Sequence, residues 1–293
     1  MANFDIYAAI TDRIIAELEN GIIPWHKPWT GTTTGAISRE TGRPYSLLNQ
    51  MLLGTPGEYL TWNQVKKEGG SVKKGAKAKM VVFWKVYPRE KKNTDGQTIT
   101  DAEGKPVMEG LPVLRYFNVF HIDDCEGIKP KYTAKTTKHA DPIQYAEETF
   151  ADYVSRSGVR FENVRQDRAY YSPSQDLIRL PLMEQFPDTA EYYSTLFHEA
   201  THSTGHAKRL DRLPKDAIAA HFGSEEYSKE ELVAEIGAAS ILNVMGIETA
   251  GTFKNSAAYI RSWLKALKND KRMIVSAAAR AEKAVKLILN TAE

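Results

Sequence analysis

Two histidines with a glutamate between them give the strongest chemical signal in this chain. The string His198-Glu199-Ala200-Thr201-His202 has the spacing His-Glu-x-x-His. On a helix, residues four apart share one face, so both imidazoles can bind a single metal ion. Glu199 lies beside that face, where it can act as general base on a metal-activated water. The spacing therefore predicts a zinc site that hydrolyses peptides, although another divalent transition metal would suit the same ligands.

The residues around this string predict the helix that must carry it. Asp188 is a suitable N-cap, and Glu191 three residues later completes a capping-box pattern. Apolar residues follow at helical spacing and predict a buried stripe that leaves both histidines to one side. The stripe consists of Tyr193, Leu196, Phe197 and Ala200. Gly205 marks the expected end of the helix, and residues 170–180 upstream read as a β-hairpin.

A hydrolytic zinc site usually has three protein ligands, and the third is open among several residues. Glu231 and Glu235 share one face of a helix predicted over residues 228–239. We favour Glu231 as the ligand and Glu235 as the acceptor of a ring N–H from a ligand histidine. His206 is the other candidate, although it follows the predicted end of the first helix. Candidate donors to the oxyanion are His206, Tyr227 and Arg209.

Composition limits the class of protein. The chain has 293 residues, of which 42% are hydrophobic and 26% charged, as in a soluble globular protein with room for two domains. No apolar run is long enough to span a membrane, and the first residues do not resemble a signal peptide. We therefore expect a cytoplasmic protein without a membrane partner. The single cysteine, Cys125, excludes an intramolecular disulfide and lies among acidic residues that disfavour a reactive thiolate.

Positive charge and tryptophan are concentrated in the first third of the chain. Residues 59–92 contain ten basic and two acidic residues, although the whole chain has a net charge of only +2. Lysines bind phosphates and aromatic rings stack on unpaired bases, so this cluster favours binding of a single-stranded nucleic acid. For any one tryptophan, a place in the core is an equally good explanation. The candidate contacts are Trp25, Lys27, Trp29, Trp62, Lys66, Lys67, Lys73, Lys74, Lys77 and Lys85.

The order of predicted elements indicates an α+β protein with two domains. Residues 1–130 are expected to mix helices with strands at 80–87 and 114–120, on either side of a polar stretch. Residues 131–141 form a linker rich in Pro, Lys and Thr. Residues 142–293 are expected to be mainly helical with a small β-sheet. Further helices are predicted at residues 3–20, 45–53, 61–68, 142–157, 255–269 and 271–289.

Short motifs along nearly the whole chain match one known family. The N-terminal motifs include Pro24-Trp25-His26-Lys27-Pro28-Trp29, Thr41-Gly42-Arg43-Pro44-Tyr45 with Asn49, Trp62-Asn63-Gln64 and Phe83-Trp84-Lys85. The C-terminal motifs are the string from His198 to His206 and the string Glu230-Glu231-Leu232-Val233-Ala234-Glu235. With these motifs the chain resembles the ArdC-type antirestriction proteins of conjugative plasmids.

That resemblance implies a fold and a role. It implies an N-terminal domain that binds single-stranded DNA, also found fused to plasmid primases, and a C-terminal zincin-like metallopeptidase domain. It implies that the protein protects incoming plasmid DNA from host restriction in a bacterial cytoplasm, and it adds Tyr45 and Asn49 as expected DNA contacts. The chain itself contains no primase motif. Two hypotheses stay open, namely a DNA-tethered protease that cleaves a host protein and a DNA shield whose metal site is structural. The peptide substrate and the oligomeric state are unknown.

Overall fold

The computed structural model describes residues 4–26, 35–132, 141–213, 225–247 and 256–291. These residues form eight α-helices and nine β-strands, which confirms the predicted α+β class. The helices are α1 (Ile6–Glu19), α2 (Leu47–Leu53), α3 (Trp62–Lys67), α4 (Pro142–Ser157), α5 (Thr189–Ser203), α6 (Glu225–Met245), α7 (Ser256–Asn269) and α8 (Met273–Ile288). The strands are β1 (Ala36–Ser38), β2 (Gly57–Thr61), β3 (Ser71–Val72), β4 (Lys79–Glu90), β5 (Met108–His121), β6 (Cys125–Glu126), β7 (Arg160–Asn163), β8 (Tyr170–Ser172) and β9 (Leu177–Leu180). None of the helices in the described ranges is both long and apolar enough to cross a membrane.

The chain divides into two compact units. The ribbon unit, as we term it, comprises Met1–Ile6 and Leu60–Ile128. The helical unit comprises Tyr7–Tyr59 and Lys129–Glu293. Packing thus groups residues 7–59 with the C-terminal helices, whereas the sequence placed them in the N-terminal domain. The linker predicted at residues 131–141 lies largely outside the described residues and stays a prediction.

Helices α1 and α2 are held in the helical unit by buried apolar side chains and by polar contacts to distant residues. The hydroxyl of Thr11 on α1 donates a hydrogen bond to the carbonyl of Lys271 at 2.7 Å. The backbone N–H of Leu47 at the start of α2 donates to Glu282 on α8 at 3.2 Å. The buried apolar residues of α1 recur at helical spacing and are Ile10, Ile14, Ile15 and Leu18.

The ribbon unit is dominated by one long antiparallel strand pair. Strands β4 and β5 pair continuously from Lys79 opposite Val119 to Glu90 opposite Met108, so both extend beyond their predicted limits into the polar stretch. The small core of this unit contains Leu60, Val65, Ile122 and Cys125. Burial, together with nearby Asp124, raises the pKa of the Cys125 thiol, as expected for an unreactive cysteine.

The helical unit packs α4, α5, α6 and α8 around one apolar core, with a three-stranded sheet beside it. Strand β9 is central, parallel to β7 and antiparallel to β8, so the predicted hairpin is present. Helix α5 begins at the predicted cap, where the Asp188 carboxylate accepts the N–H of Glu191 at 2.8 Å. The predicted stripe is buried at all four positions, Tyr193, Leu196, Phe197 and Ala200.

Helices α5 and α6 approach each other closely because small residues face the contact. A Cβ atom on Gly237 would lie 2.6 Å from the methyl carbon of Thr201, so a larger residue at 237 would force the helices apart. Thr201 is itself fully buried, and Ala234 and Ala238 of α6 are buried as well. This close approach brings the glutamates of α6 beside the histidines of α5.

Candidate metal centre and nucleic-acid surface

Among the described residues, His198, His202 and Glu231 form the one group that could hold a metal ion, with ligand atoms within 4.8 Å of one another. The two histidine Nε2 atoms are 3.1 Å apart. Glu231 Oε2 lies 3.5 Å from His198 Nε2, and Glu231 Oε1 lies 3.4 Å from His202 Nε2. Two imidazole nitrogens and one carboxylate therefore converge on a single point, which is the donor set of a catalytic zinc site.

The charges at this point favour a cation. Burial lowers the pKa of both histidines, but the neighbouring carboxylates outweigh it and raise the pKa of His198, and that of His202 further. Burial raises the pKa of Glu231, yet the two imidazoles hold it well below its usual range. The negative charge of the buried Glu199 also contributes to the raised pKa of both histidines. The same electrostatics that favour protonated imidazoles would favour a bound divalent ion.

The other ring nitrogen of each histidine faces a second glutamate. His202 Nδ1 lies 3.3 Å from Glu230 Oε1, within hydrogen-bonding distance. His198 Nδ1 lies 3.7 Å from Glu235 Oε1, on the side of the ring away from Glu231. A carboxylate behind a ligand histidine fixes the orientation of the ring and makes it a better ligand. Glu235 thus lies beside the His198 ring, and its role as acceptor of a ring N–H stays a prediction.

Glu230 and its partner Arg212 are site residues that the sequence analysis did not identify. The Arg212 guanidinium donates two hydrogen bonds to the Glu230 carboxylate, Nε to Oε2 at 2.8 Å and Nη2 to Oε1 at 2.7 Å. It also donates to the Thr204 hydroxyl and the Thr201 carbonyl, each at 2.9 Å. Burial raises the pKa of Glu230, but Arg212 and His202 lower it, so the carboxylate stays charged. No local motif marks Arg212, because it follows α5 by several residues and reaches back to it.

His26 reaches the same site from the N-terminal part of the helical unit. It ends the short 3₁₀ turn Pro24–His26, and its Nε2 atom lies 3.6 Å from Glu235 Oε2. Burial raises the pKa of Glu235, but the effect of His26 and His198 is larger and holds the pKa below its usual value. Glu235 therefore lies between His198 and His26, which are 172 positions apart in the sequence. Pairing at that distance in sequence leaves no local pattern.

The candidates for the oxyanion donor have separate surroundings. His206 lies past the end of α5, with Nδ1 3.8 Å from Asp176 Oδ2, and it is outside the group that could hold a metal. The side chain of Arg209 is buried, and its guanidinium donates hydrogen bonds to Asp176 and to the Tyr171 hydroxyl, so these contacts occupy it in the folded structure. The side chain of Tyr227 lies outside the described part of the chain.

Two of the expected DNA contacts are buried, which corrects the sequence analysis. Trp25 is fully buried, and its ring meets Trp263 of α7 edge-on with centroids 5.2 Å apart. Asn49 is likewise fully buried on α2. Neither can contact a nucleic acid in this structure, and Trp25 proves to be a core tryptophan. Tyr45 is half-buried, packs edge-on against Tyr59, and has its pKa raised to about 12, chiefly by burial.

The remaining expected DNA contacts within the described residues are exposed. Trp62 is 49% exposed, and Lys66 Nζ lies 5.3 Å from the centre of its ring. Lys73 is exposed, and its Nζ donates to the carbonyl of Asp123 at 2.7 Å. The other exposed lysines are Lys67, Lys74, Lys77 and Lys85. Lys27 and Trp29 lie outside the described residues.

Two known protein families match separate parts of the chain. Residues 4–120 match the family described as the N-terminal domain of anti-restriction factor ArdC. Residues 148–280 match the family described as zincin-like metallopeptidase. The two matches fall on the segments that carry the basic aromatic cluster and the histidine pair respectively.

Solved structures and curated relatives extend the similarity to the whole chain. A metal-free crystal structure of the antirestriction protein ArdC from plasmid R388 is 35% identical with a TM-score of 0.72, and 97% of each chain is covered. A Mn(II)-bound structure of the same protein is 34% identical with a TM-score of 0.71, and 98% of each chain is covered. A DNA primase TraC of Escherichia coli is 36% identical over 96% of this chain, which spans only 26% of the primase.

Proposed function

The chain belongs to the ArdC family of antirestriction proteins, and on that premise we propose that it binds single-stranded DNA and hydrolyses peptide bonds with a bound metal ion. Both activities would serve to protect incoming plasmid DNA from host restriction in the bacterial cytoplasm. The observation that carries the peptidase half is the convergence of His198, His202 and Glu231, with Glu199 next to His198 in the sequence. A purely structural metal site would have no need of Glu199.

The residues present fit a divalent transition metal. Two imidazole nitrogens and one carboxylate oxygen are largely buried, within 4.8 Å of one another, and would leave a coordination position for water or substrate. We propose zinc as the native ion, because nitrogen-rich sites bind zinc more tightly than manganese. The Mn(II)-bound structure of the plasmid R388 protein supports a divalent ion in this family.

The chain's own residues then have distinct roles in hydrolysis. A bound metal would supply Lewis acidity for the scissile carbonyl and would make a water easier to deprotonate. Glu199 would take the proton from the attacking water and return it to the leaving amine. Glu230 and Glu235 would hold the rings of His202 and His198 in orientation for ligation.

The DNA-binding half of the proposal depends on the ribbon unit. Its exposed lysines and aromatic residues supply the two kinds of contact that a single strand requires, phosphate neutralisation and base stacking. The match between this whole chain and part of a DNA primase supports a DNA partner for the shared segment. A host protein would be the peptidase substrate, cleaved while this protein is bound to DNA.

Metal content tests the ligand assignment. Purified wild-type protein should contain one divalent ion per chain, and His202→Ala should lose it together with part of its thermal stability, because bound metal stabilises the folded state. His206→Ala is the matched control, since this histidine lies just beyond α5, and it should keep the ion. Loss of metal in His206→Ala but not in His202→Ala would overturn the assignment.

Protection of transferred plasmid DNA separates the two biological hypotheses. If proteolysis is needed, Glu199→Gln should lose protection in a restricting host while it still binds a labelled oligonucleotide. If the protein acts only as a DNA shield, the same variant should protect as well as wild type. In the second case protection does not need proteolysis, and the proposed role of the peptidase in antirestriction fails.

A further inference from the structure

The two faces of the β4–β5 ribbon have different chemistry. Side chains alternate between the faces of a strand, and residues directly opposite in an antiparallel pair share a face. The register places Phe83 opposite Arg115 and Trp84 opposite Leu114. These two neighbouring aromatic residues, 46% and 52% exposed, therefore point to opposite sides of the ribbon.

One side, which we term the basic face, combines aromatic rings with cations. The aromatic and basic residues that define it are Phe83, Lys85, Tyr87, Arg89, Arg115 and Phe117, and Glu109, Leu111 and Val113 lie on the same side. Contacts across and along the ribbon confirm that they share a side. The rings of Phe83 and Phe117 meet with centroids 5.9 Å apart, and Lys85 Nζ lies 5.2 Å from the centre of the Tyr87 ring.

The other side, which we term the apolar face, has exposed apolar residues without cations. Its exposed large apolar residues are Trp84, Val86, Met108 and Tyr116, and Glu90 and Asn118 are exposed on the same side. Val86 leans over Gly110, where an added Cβ would lie 2.6 Å from its methyl carbon. Phe4 packs on Tyr116 with ring centroids 4.9 Å apart.

We propose that the basic face is the surface on which a single strand of DNA lies, with bases on Phe83 and Phe117 and phosphates on Lys85 and Arg115. The proposal rests on the proposed DNA-binding function and gives it a location. Neither Phe117 nor Arg115 belonged to the contacts expected from the sequence, and Trp84 lies on the opposite side.

A single strand of nucleic acid binds best where aromatic rings and cations lie within reach of the same strand. Stacking of bases on aromatic rings and neutralisation of phosphates each contribute to the affinity for a single strand. On the basic face, Arg115 lies directly across from Phe83, and Lys85 is the next residue on the same side. The one acid of β5 on this side, Glu109, is paired with Arg89 at 2.7 Å. The ribbon thus offers a positively charged strip with rings along it.

Spacing along the strand agrees with this arrangement. Residues two apart on a strand are about 6.8 Å apart, twice the rise of about 3.4 Å between stacked bases. Rings and cations that alternate at this spacing suit an extended strand whose bases have separated from one another. A duplex keeps its bases stacked on each other and cannot offer their faces to these rings.

The test compares neighbouring aromatic residues on opposite faces in the full-length protein. Binding of a fluorescently labelled oligothymidylate would be measured by anisotropy for Phe83→Ala and Trp84→Ala. We expect Phe83→Ala to raise Kd roughly 5- to 150-fold, the loss of one stacked base, and Trp84→Ala to leave Kd within about twofold. Thermal melting of both variants would confirm that each stays folded.

Two further variants separate stacking from packing. Phe83→Tyr keeps the aromatic face and should bind as wild type, whereas Phe83→Leu keeps apolar bulk alone and should weaken binding as alanine does. Arg115→Gln should weaken binding and make Kd less dependent on salt.

The outcomes distinguish this proposal from the function on which it rests. If wild-type protein binds the oligonucleotide but Trp84→Ala weakens binding more than Phe83→Ala does, the basic face is not the binding surface. DNA binding itself would then still stand. Equal affinity of wild type, Phe83→Leu and Arg115→Gln would also overturn it. Wild-type protein that fails to bind any single strand would remove the DNA-binding function itself.

Discussion

The metal centre and the basic face of the ribbon are built in opposite ways. At the metal centre, side chains from α5 and α6 converge, are largely buried, and are held by second partners such as Glu230 and Arg212. On the basic face, side chains stand in a row on two strands and are exposed to solvent, as Phe83 is at 46%. The first region fixes a few atoms at one point, and the second distributes many weak contacts along a line.

That difference predicts different responses to substitution. Buried groups that share partners act together, so the loss of one weakens the others and effects are not additive. Exposed contacts spaced along a strand act nearly independently, and each contributes a small increment.

We expect the largest effect on metal affinity from substitutions of Glu231 and Glu235, which share a face of α6. Glu231→Gln removes a ligand carboxylate and should weaken metal binding by more than about 100-fold, whereas Glu235→Gln acts only through the ring of His198 and should cost about 10–100-fold. Competition against a chelator of known affinity would measure both variants. A reverse ranking would move the ligand role to Glu235.

A smaller loss of metal affinity should follow from substitution of Glu230 or Arg212, which support the ring of His202. Glu230→Gln and Arg212→Met should each reduce metal affinity by about tenfold, because each loosens the ring of His202. The double variant should lose little more than either single one, since both act through the same pair. Additive losses in this cycle would show that Arg212 and Glu230 act separately, against the arrangement described.

The smallest effect should come from a single lysine on the ribbon. Lys85→Gln should reduce the slope of log Kd against log salt concentration by about 0.7, the counterion release for one phosphate on a single strand. Lys131→Gln is a close control, because Lys131 Nζ also lies 5.2 Å from the centre of a tyrosine ring, in the helical unit. An equal change in slope for both lysines would contradict a localised binding face.

Much of the metal centre follows from sequence because its spacing is local. The cap at Asp188, the buried stripe and the four-residue spacing of the histidines determine one helix face. Glu231 was inferred from a second local pattern, helical spacing with Glu235. Arg212 and His26 could not be inferred, since each reaches the site only through tertiary packing.

In the ribbon, sequence patterns predict the strands but not how they pair. The alternation of apolar and polar residues predicts two strands. The register between them decides which side chains of β4 share a face with Arg115 of β5, and no local sequence pattern sets that register. Trp25 illustrates the same limit. Its partner Trp263 is distant in the chain, so a core tryptophan and a base-stacking tryptophan look alike in sequence.

Metal content and peptide hydrolysis measured together on Glu199→Gln test the central claim most directly. Wild-type protein and the variant would be incubated with a mixed-sequence peptide library, with single-stranded DNA present, and cleavage followed by mass spectrometry. We expect the variant to hold one metal ion per chain as wild type does and to cleave about 10²–10⁴-fold more slowly, because only proton transfer is lost. Cleavage at the wild-type rate, or a metal-loaded wild type that cleaves nothing, would contradict the peptidase assignment.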